Sequence, residues 1–580
     1  MVKQKNSNKK RDLLQLLLGF IIIVLINYIG SFSFYRFDLT SEKRYSLSEA
    51  SKEMVQKLDD VLFIKIYLEG EFPAGFKKLR NEFKEMLDEF RAYSNGNIEY
   101  EFINPSASPD EKERNQIYKQ LYESGLRPTD LSVKEEDGIT NKIIWPGAIF
   151  TYAGKEVPVN ILKSQIGAHP ETMINSSIES LEYEIASAIH YLINPELPKV
   201  AFIEGHGELD KLETASLYKS LKEYYNVDRV SIDGKLSALT ERIKTEDGNY
   251  YVTNKFETII IAKPTKKFTE QDKFIIDQHL MYGGKILWLV DPVFASMDSL
   301  QNADFSMAII QDLNLDDQLF QYGVRINPNL IQDLQAAPIP IVTGMIGNQP
   351  KTELFPWYHF PLLMSTGEHP ITKNLNAVKG EFVSSVDTIQ KPNLKKTYLL
   401  QTSKYSKISN APLRISLNVL RFEPDMNQFQ SGPVPVAALI EGTFTSVYKD
   451  RLTPKILNAK EIKFKDTSKP TKIIVVGDGD IAKNYVKKST NEYYTLGLDR
   501  FTKQQYGNLD FLLNCVNYLC DDSGLMAIRS KKFKIRLLDQ SALKTATFKW
   551  QFINTVLPVL LIILFGIYFS IMRRKKFSKK

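Results

Sequence analysis

The chain has 580 residues, with 75 Lys and Arg against 68 Asp and Glu, and a formal net charge of +7 at pH 7. Eleven of the cations stand in residues 1–11 and 573–580, which leaves 64 basic against 68 acidic residues, a net of −4, over residues 12–572. This distribution argues against a nucleic-acid-binding protein, which carries a concentrated basic face. The two cysteines, Cys515 and Cys520, are five positions apart and argue against a disulfide framework or a zinc site.

An uncharged run of 23 residues, 13–35, follows the basic tail 1–12. As a helix it is roughly 35 Å long, enough to cross the about 30 Å hydrocarbon core of a bilayer. A cleaved signal peptide is the alternative, but the run is longer than an apolar core of about 7–15 residues, and no small-residue cleavage site follows. We therefore predict a membrane anchor in which Gly19, Asn27 and Gly30 contact another helix.

The region 36–195 is predicted to form a thioredoxin-like α/β domain with the element order βαβαββ. The predicted strands are Val61–Glu69, Asn97–Asn104, Ile143–Tyr152 and Lys155–Asn160. The predicted helices are an amphipathic one over Ala74–Gly96, one that opens on Ser108, and one over Asn175–Asn194. The loop after the first strand contains no Cys-x-x-Cys, which excludes dithiol redox chemistry there.

The region 196–535 alternates strands with helices, which predicts a mostly parallel, doubly wound sheet. The predicted strands are Lys199–Glu204, Asn226–Ile232, Glu257–Pro264, Lys285–Val293 and Lys472–Asp480. The predicted helices are Glu213–Tyr225, Phe268–Gly284 and Asn508–Cys520. The Pro-rich interval 301–470 is predicted to be an insertion with additional strands.

A second uncharged run, 552–572, lies between a membrane-proximal segment, 536–551, and the basic tail 573–580. A buried core helix is the alternative, but the cluster of cations directly behind the run favours a membrane span. Because Lys and Arg beside spanning helices favour the cytoplasmic side, both tails are predicted to be cytoplasmic and the bulk periplasmic. Asn554, Pro558 and Gly566 are the predicted positions at which this second helix contacts another helix.

Several side chains that can bind ligands follow the predicted strands of the second region. The turn Gly205-His206-Gly207-Glu208 comes after its first strand, and in doubly wound sheets ligands bind at such carboxyl ends. Asp291, Asp478 and Asp480 end two further strands and are expected to share a crevice with Glu208, where converging carboxylates bind Mg²⁺ or Ca²⁺. His369, in a turn of its own, is a candidate for the same crevice.

Each of these candidates has a structural alternative. A single His and Glu without a third ligand in register form a weak metal motif, and Asp and Gly are ordinary turn residues. The sequence contains no GxxxxGK[ST] loop for nucleotide phosphates and no GxSxG nucleophile elbow. We therefore predict no catalytic residue, no resident metal and no cofactor, and treat the crevice as a candidate ligand pocket.

The order of several motifs between the two anchors resembles a known family, the ABC-transporter auxiliary proteins of the gliding-motility (GldG) type. The stretches that carry the resemblance are RFDLTSEKRYSLS (Arg36–Ser48), KVAFIEGHGE (Lys199–Glu208), GEHPITKNL (Gly367–Leu375), VVGDGD (Val475–Asp480) and the closing segment Ile528–Phe569. The resemblance implies an outer domain similar to class I glutamine amidotransferases. This chain lacks the cysteine nucleophile of that fold, so amidotransferase activity is not expected.

The resemblance also implies two partners, a multispanning permease (GldF-like) and a cytoplasmic ATPase (GldA-like). The predicted function is that of a non-enzymatic inner-membrane auxiliary subunit of an ABC transporter linked to gliding motility. The subunit is expected to contact membrane lipid, and a periplasmic or envelope protein is a further candidate partner. Two alternatives stay open. One is a membrane-anchored hydrolase or metal-binding enzyme that uses His206, Glu208 and Asp478, and the other is an envelope scaffold or sensor without a transporter.

Overall fold

The computed structural model describes most of the chain, and the chain separates into two compact units. The described residues are 13–25, 27–28, 46–135, 138–163, 170–194, 197–246, 249–300, 303–346, 349–367, 369–487, 489–521, 524–530 and 547–577. Residues 1–38 and 45–531 form the first unit, and residues 39–44 and 532–580 form the second. The fold is mixed α/β, as the sequence predicts.

The first layer of the large unit is a four-stranded sheet packed against helices. Its elements are α2 (Glu49–Val55), β1 (Leu62–Ile66), α3 (Ala74–Tyr93), β2 (Ile98–Phe102), α4 (Glu111–Glu123), β3 (Thr129–Glu135), β4 (Gly138–Ile144), β5 (Gly147–Tyr152), β6 (Lys155–Asn160) and α5 (Pro170–Ile193). The strand order is β2-β1-β5-β6, in which β1 and β2 are parallel and the other pairs are antiparallel. Phe76, Leu79, Phe83, Leu87 and Phe90 bury one face of α3, which confirms the helical periodicity.

Two local predictions in this layer are wrong. The predicted strand Ile143–Tyr152 is broken, because Pro146 has no N–H to donate between β4 and β5. β4 instead pairs with β3 as a separate hairpin. The helix predicted to open on Ser108 begins three residues later with Asp110 as its cap, whose carboxylate accepts from the N–H of Lys112 at 2.9 Å.

The second layer is a large mixed sheet that contains ten strands within the described residues. Its strands are β7 (Lys199–Glu204), β8 (Asn226–Ser231), β11 (Thr258–Ala262), β12 (Lys285–Leu289), β17 (Ala336–Ile346), β18 (Gln349–Ser365), β19 (Val378–Lys379), β21 (Leu394–Gln401), β24 (Pro435–Gly442) and β25 (Thr471–Val476). The order is β17-β18-β21-β24-β25-β12-β11-β7-β8, and β19 pairs with β18. The strands from β25 to β8 are parallel, whereas those from β24 to β17 are antiparallel.

The parallel strands are covered on both faces, which explains their continuous apolar sequences. Every residue of β11 (TIIIA) and β12 (KILWL) is buried. The covering and connecting helices are α6 (Ala215–Lys222), α7 (Glu270–Met281), α8 (Asp316–Gln321), α9 (Pro454–Leu457) and α10 (Asn508–Cys520). Cys515 is buried in α10 against this core, where burial raises the pKa of its thiol well above the usual value.

The interval 301–470 supplies strands to the large sheet and to smaller ones. Inside this interval, the strands of the smaller sheets are β14 (Ser306–Ile310), β15 (Val324–Ile326), β16 (Asn329–Asp333), β20 (Val386–Thr388), β22 (Ser406–Asn410) and β23 (Leu413–Ile415). Outside it they are β9 (Thr240–Lys244), β10 (Tyr250–Asn254), β13 (Val293–Phe294), β26 (Val486–Lys487) and β27 (Glu492–Tyr493). The interval thus adds β24, β21, β18 and β17 to the central sheet, beginning with the antiparallel pairing of β24 with β25.

Two apolar helices carry the predicted anchors. The first, α1, spans Leu13–Leu25, and residues 29–35 of the predicted span lie outside the described residues. The second runs over Thr547–Lys575, and its most apolar stretch of 18 residues has a mean hydropathy of 2.5 and no buried residue. Within the described part of the chain, it is the helix long and apolar enough to cross a membrane. It consists of α11 (Thr547–Gln551), one π-helical turn over Phe552–Val556, and α12 (Leu557–Phe577). Pro558 cannot donate to the fourth preceding carbonyl, and the wider π turn lies directly before it.

Candidate functional site

The predicted crevice lies at the carboxyl edge of the parallel strands, and the strand register brings its loops side by side. Ala262 of β11 is paired with Leu289 of β12, which is in turn paired with Val476 of β25. The loops that follow these strands therefore emerge at one level, next to the turn that follows β7. This is the edge at which doubly wound sheets bind ligands.

The turn after β7 is fastened to the loop after β11. The carbonyl of His206 accepts from the N–H groups of Thr265 and Lys266 at 2.8 and 2.7 Å. Gly205 and Gly207 have φ values of +122° and +74°, which side chains rarely adopt. A Cβ on Gly207 would also overlap the hydroxyl of Thr265, so both the conformation and the close approach require glycine there.

His206 lies between two carboxylates, one in its own turn and one on α7. Its Nδ1 is 3.2 Å from Oε1 of Glu208, and its Nε2 is 3.2 Å from Oδ2 of Asp272. The imidazole stacks on Phe268 with ring centroids 3.8 Å apart, and only 5% of His206 is exposed. Asp272 also accepts from the N–H of Gly234 at 2.8 Å, so this His206 clamp ties the turns after β7 and β8 to the start of α7.

The pKa values of the His206 clamp favour a charged imidazolium. Burial alone lowers the pKa of His206, but the hydrogen bonds to Glu208 and Asp272 outweigh it and raise the pKa above its usual range. For Asp272 both effects have the opposite sign: burial raises its pKa, and the hydrogen bonds from Thr269, Gly234 and His206 outweigh burial and bring the pKa below its usual range. With both ring nitrogens donating, the imidazolium has no lone pair for a metal and no site for accepting a proton.

A second cluster, the Lys263 cluster, contains the three predicted aspartates around one ammonium group. Nζ of Lys263 is 3.2 Å from Oδ2 of Asp291 and also contacts Asp480. Oδ1 of Asp291 accepts from the N–H of Gly479 at 2.5 Å. Asp478 accepts from the N–H groups of Asp480 and Glu381, both at 2.8 Å.

Burial and mutual repulsion shift the pKa values within the Lys263 cluster. Burial raises the pKa of Asp291 despite the attraction of Lys263, and burial together with Asp291 and Asp480 raises that of Asp478 well above its usual range. Burial lowers the pKa of Lys263, but Asp291 and Asp480 outweigh it and raise the net value. The ammonium thus lies among the carboxylates that the sequence offers as candidate ligands of Mg²⁺ or Ca²⁺. Within the described residues, no group of three or more His, Cys, Asp or Glu is arranged to hold a metal ion.

The structure therefore assembles most of the predicted site residues, but in two clusters instead of one crevice. Glu208 is engaged by His206, and Asp291, Asp478 and Asp480 are engaged by Lys263 and backbone N–H groups. The loop of residues 263–266 joins the clusters, since Lys263 belongs to one and Thr265 and Lys266 bind the turn of the other.

The prediction that His369 approaches the same crevice is wrong. Its ring packs on Tyr518 with centroids 4.9 Å apart, and the nearby charges are Glu441 and Lys472. Lys472 stands at the start of β25 and Asp478 beyond its end, so His369 lies towards the opposite edge of the sheet. Burial lowers the pKa of His369 to about 4, and its carbonyl accepts from the N–H groups of Thr372 and Lys373 as the cap of a turn.

Two functional partners in the clusters, Asp272 and Lys263, were not predicted from the sequence. Thr269 and Asp272 form the Thr-x-x-Asp pattern of a helix capping box, and the N–H of Asp272 donates to the Thr269 hydroxyl at 3.1 Å. That motif locates Asp272 at the start of α7, which follows a strand and therefore begins at the carboxyl edge. No comparable signal marks Lys263.

The predicted helix contacts stay predictions. The side-chain amide of Asn27 donates to the carbonyl of Ile23 at 3.0 Å within its own helix. A Cβ on Gly19 or Gly566 would meet open space, Asn554 lies in the π turn, and Gly30 lies outside the described residues.

Comparison with known proteins gives matches to two family models in this chain. Residues 197–515 match the family described as an ABC-type uncharacterized transport system, and residues 41–151 match a domain of unknown function, DUF7088. An uncharacterized protein of Borreliella burgdorferi (strain ATCC 35210 / DSM 4680 / CIP 102532 / B31) is 21% identical over 98% of this chain and 99% of its own length. Among solved structures, the mmIFT52 N-terminal domain aligns in full with 58% of this chain at 14% identity, with a TM-score of 0.29.

Proposed function

Because this chain belongs to the family described as an ABC-type uncharacterized transport system, we propose that it is a non-enzymatic, membrane-anchored auxiliary subunit of an ABC transporter. The observation that carries the proposal is the family match over 197–515, which covers the large sheet and both clusters at its carboxyl edge. The sequence contains no loop that binds nucleotide phosphates, so the ATPase must be a separate chain.

The proposed topology places both termini in the cytoplasm and the residues between the two spans, 36–551, in the periplasm of a bacterial inner membrane. The apolar helix Thr547–Lys575 supports one span, and the uncharged run 13–35 supports the other. The cations of both tails support the orientation, because Lys and Arg flanking a span favour the cytoplasmic side. Two spans are too few to form a transport path, which supports a separate multispanning permease as partner.

The proposed lack of catalysis is supported by the two clusters. The imidazolium of His206 is held by two carboxylates, so it offers neither a free base nor a metal ligand. The ammonium of Lys263 neutralises carboxylates that would otherwise bind a cation. Both arrangements join neighbouring loops, which suits a rigid scaffold.

The domain interpretation belongs to the same proposal. The sheet order β2-β1-β5-β6, with one parallel and two antiparallel pairs, supports a thioredoxin-like fold for 36–195. The parallel strands β25-β12-β11-β7-β8 support a doubly wound, glutamine-amidotransferase-like fold for 196–535. The finer assignments, a role in gliding motility with GldF-like and GldA-like partners, are supported by the motif order in the sequence.

Genetic epistasis tests the proposal. If the chain works only as part of one transporter, strains that lack this chain, the permease or the ATPase share one phenotype, and a double deletion is no more severe than a single one. An additive phenotype in the double deletion would show that the chain acts outside the transporter.

Labelling with a membrane-impermeant maleimide tests the topology. Thr352 is exposed on β18, and Lys575 lies at the end of the apolar helix. Thr352→Cys should be labelled in intact spheroplasts and Lys575→Cys only after lysis, with the unaltered chain as control for Cys515 and Cys520. The reverse pattern would contradict a periplasmic location of residues 36–551.

A further inference from the structure

A rigid loop at the carboxyl edge of the sheet presents an arginine together with exposed aromatic rings. The loop follows β25 and the short helical turn Asp480–Ala482, and it ends where α10 begins at Asn508. Tyr485, Tyr493 and Phe501 are 46, 40 and 42% exposed there. Aromatic side chains combine a large apolar face with, in tyrosine, a polar hydroxyl, which suits them to contact with a ligand.

The guanidinium of Arg500 is held in place by two of these rings. Its Cζ lies 3.8 Å from the ring centroid of Tyr485 and 4.4 Å from that of Phe501. Stacking of this kind fixes the plane of the guanidinium and leaves its N–H groups directed along the edges. Within the described residues, no carboxylate forms an ion pair with Arg500.

The backbone beneath Arg500 is fixed before any ligand arrives. The carboxylate of Asp499, which is 6% exposed, accepts from the N–H groups of Phe501 and Thr502 at 3.0 and 2.8 Å. The N–H of Tyr494 donates to the carbonyl of Tyr485 at 2.9 Å, which holds the other side of the loop. Asp499 is thus engaged by its own loop and does not neutralise the neighbouring arginine.

We propose that Arg500, Tyr485 and Phe501 form a binding site for a carboxylate-bearing sugar. One guanidinium matches the single charge and the two coplanar oxygens of a carboxylate, to which it donates in bidentate fashion. Tyr485 and Phe501 each stack on the guanidinium with one face, and their exposed parts are available for contact with the C–H face of a sugar ring. The site lies apart from the His206 clamp and the Lys263 cluster and does not depend on the transporter assignment.

Calorimetric titration of the full-length protein in detergent at low salt tests the proposal. The probes are N-acetylmuramic acid, N-acetylglucosamine, which has a similar ring without the carboxylate, and glucose 6-phosphate, which replaces the carboxylate by phosphate. We expect N-acetylmuramic acid to bind and N-acetylglucosamine to bind at least about tenfold more weakly. Glucose 6-phosphate should bind no more tightly than N-acetylmuramic acid.

Three variants locate the binding. Arg500→Gln should weaken the binding of N-acetylmuramic acid by about tenfold or more. Arg500→Lys should weaken it less, because lysine keeps the charge but loses the bidentate geometry of the guanidinium. Arg421→Gln, at another exposed arginine, should leave the affinity unchanged. Thermal unfolding of each variant checks that the fold is retained. No binding of N-acetylmuramic acid, or equal binding by Arg500→Gln, would overturn the proposal, and tighter binding of glucose 6-phosphate would overturn the choice of a carboxylate.

Discussion

Replacing Lys263 by methionine should strongly destabilise the large sheet, because it removes the ammonium group that pairs with both Asp291 and Asp480 and leaves Asp480 with the more distant Lys483, at 3.9 Å. The side chains of Lys263, Asp291 and Asp480 are 18, 10 and 8% exposed, so water cannot take over the role of the cation. Breaking a buried ion pair by removing one partner costs about 3–5 kcal/mol. Methionine retains most of the apolar stem that packs on Gly479, so the loss reports the charge.

Urea unfolding of the full-length protein in detergent measures this loss, with intrinsic tryptophan fluorescence, to which the buried Trp288 on β12 contributes, as the signal. Lys267→Met is the matched control, because Lys267 pairs with Asp312 at 2.6 Å but the two side chains are 58 and 72% exposed. An exposed pair contributes about 0–1 kcal/mol. Equal effects of the two substitutions would refute the reasoning that burial gives the Lys263 cluster its strength.

The pH dependence gives an independent check with a defined sign. The pKa values of Asp291 and Asp478 are raised in the folded protein, so the folded state binds more protons than the unfolded state, and stability falls as pH rises. Removing the cation raises these pKa values further. Lys263→Met should therefore recover part of its lost stability when the pH is lowered from about 8 to about 5, and a larger loss at the lower pH would contradict this account.

Two further substitutions probe the turn after β7. By urea titration, His206→Gln should lower the free energy of unfolding by about 1–3 kcal/mol at pH 6. Because folding raises the pKa of His206, its contribution to stability is complete below the unfolded pKa and is lost as pH rises through the folded pKa. The difference in stability from the unaltered protein should therefore shrink in alkaline buffer, and a constant difference would exclude the charged clamp. Gly207→Ala should lower the free energy of unfolding by about 2–4 kcal/mol, because alanine is strained at φ +74° and its methyl group overlaps Thr265. As a control, Gly344→Ala places its methyl group in open space and should change stability by less than about 0.5 kcal/mol. Equal melting curves for the two variants would contradict the requirement for glycine at position 207.

The sequence predicts the central elements because their local signals agree with their tertiary environment. The uninterrupted apolar residues of β11 and β12 are typical of parallel strands covered on both faces, and both strands are fully buried. The apolar periodicity of α3 likewise matches its buried face. Errors arise where one residue changes the outcome, as at Pro146, which divides the predicted strand Ile143–Tyr152 into β4 and β5.

The site could be predicted only in part, because ion pairs between distant residues leave no local pattern. Gly205, His206 and Glu208 stand together in the sequence, and the ends of β12 and β25 locate Asp291 and Asp478 at the same edge. The pairing of Asp291 with Lys263 depends on the adjacent positions of β11 and β12 in the sheet, which only the fold supplies. His369 was misplaced for the same reason, since its turn follows an antiparallel strand whose direction the sequence does not encode.

Affinity purification of the full-length chain from native membranes in mild detergent, followed by quantitative mass spectrometry, tests the central claim most directly. If the chain is a subunit of an ABC transporter, a multispanning permease and a nucleotide-binding ATPase are recovered with it in fixed ratios, and a variant truncated before Thr547, without the apolar helix, loses them. Recovery of the chain alone, or with partners that include neither a permease nor an ATPase, would contradict the assignment to an ABC transporter.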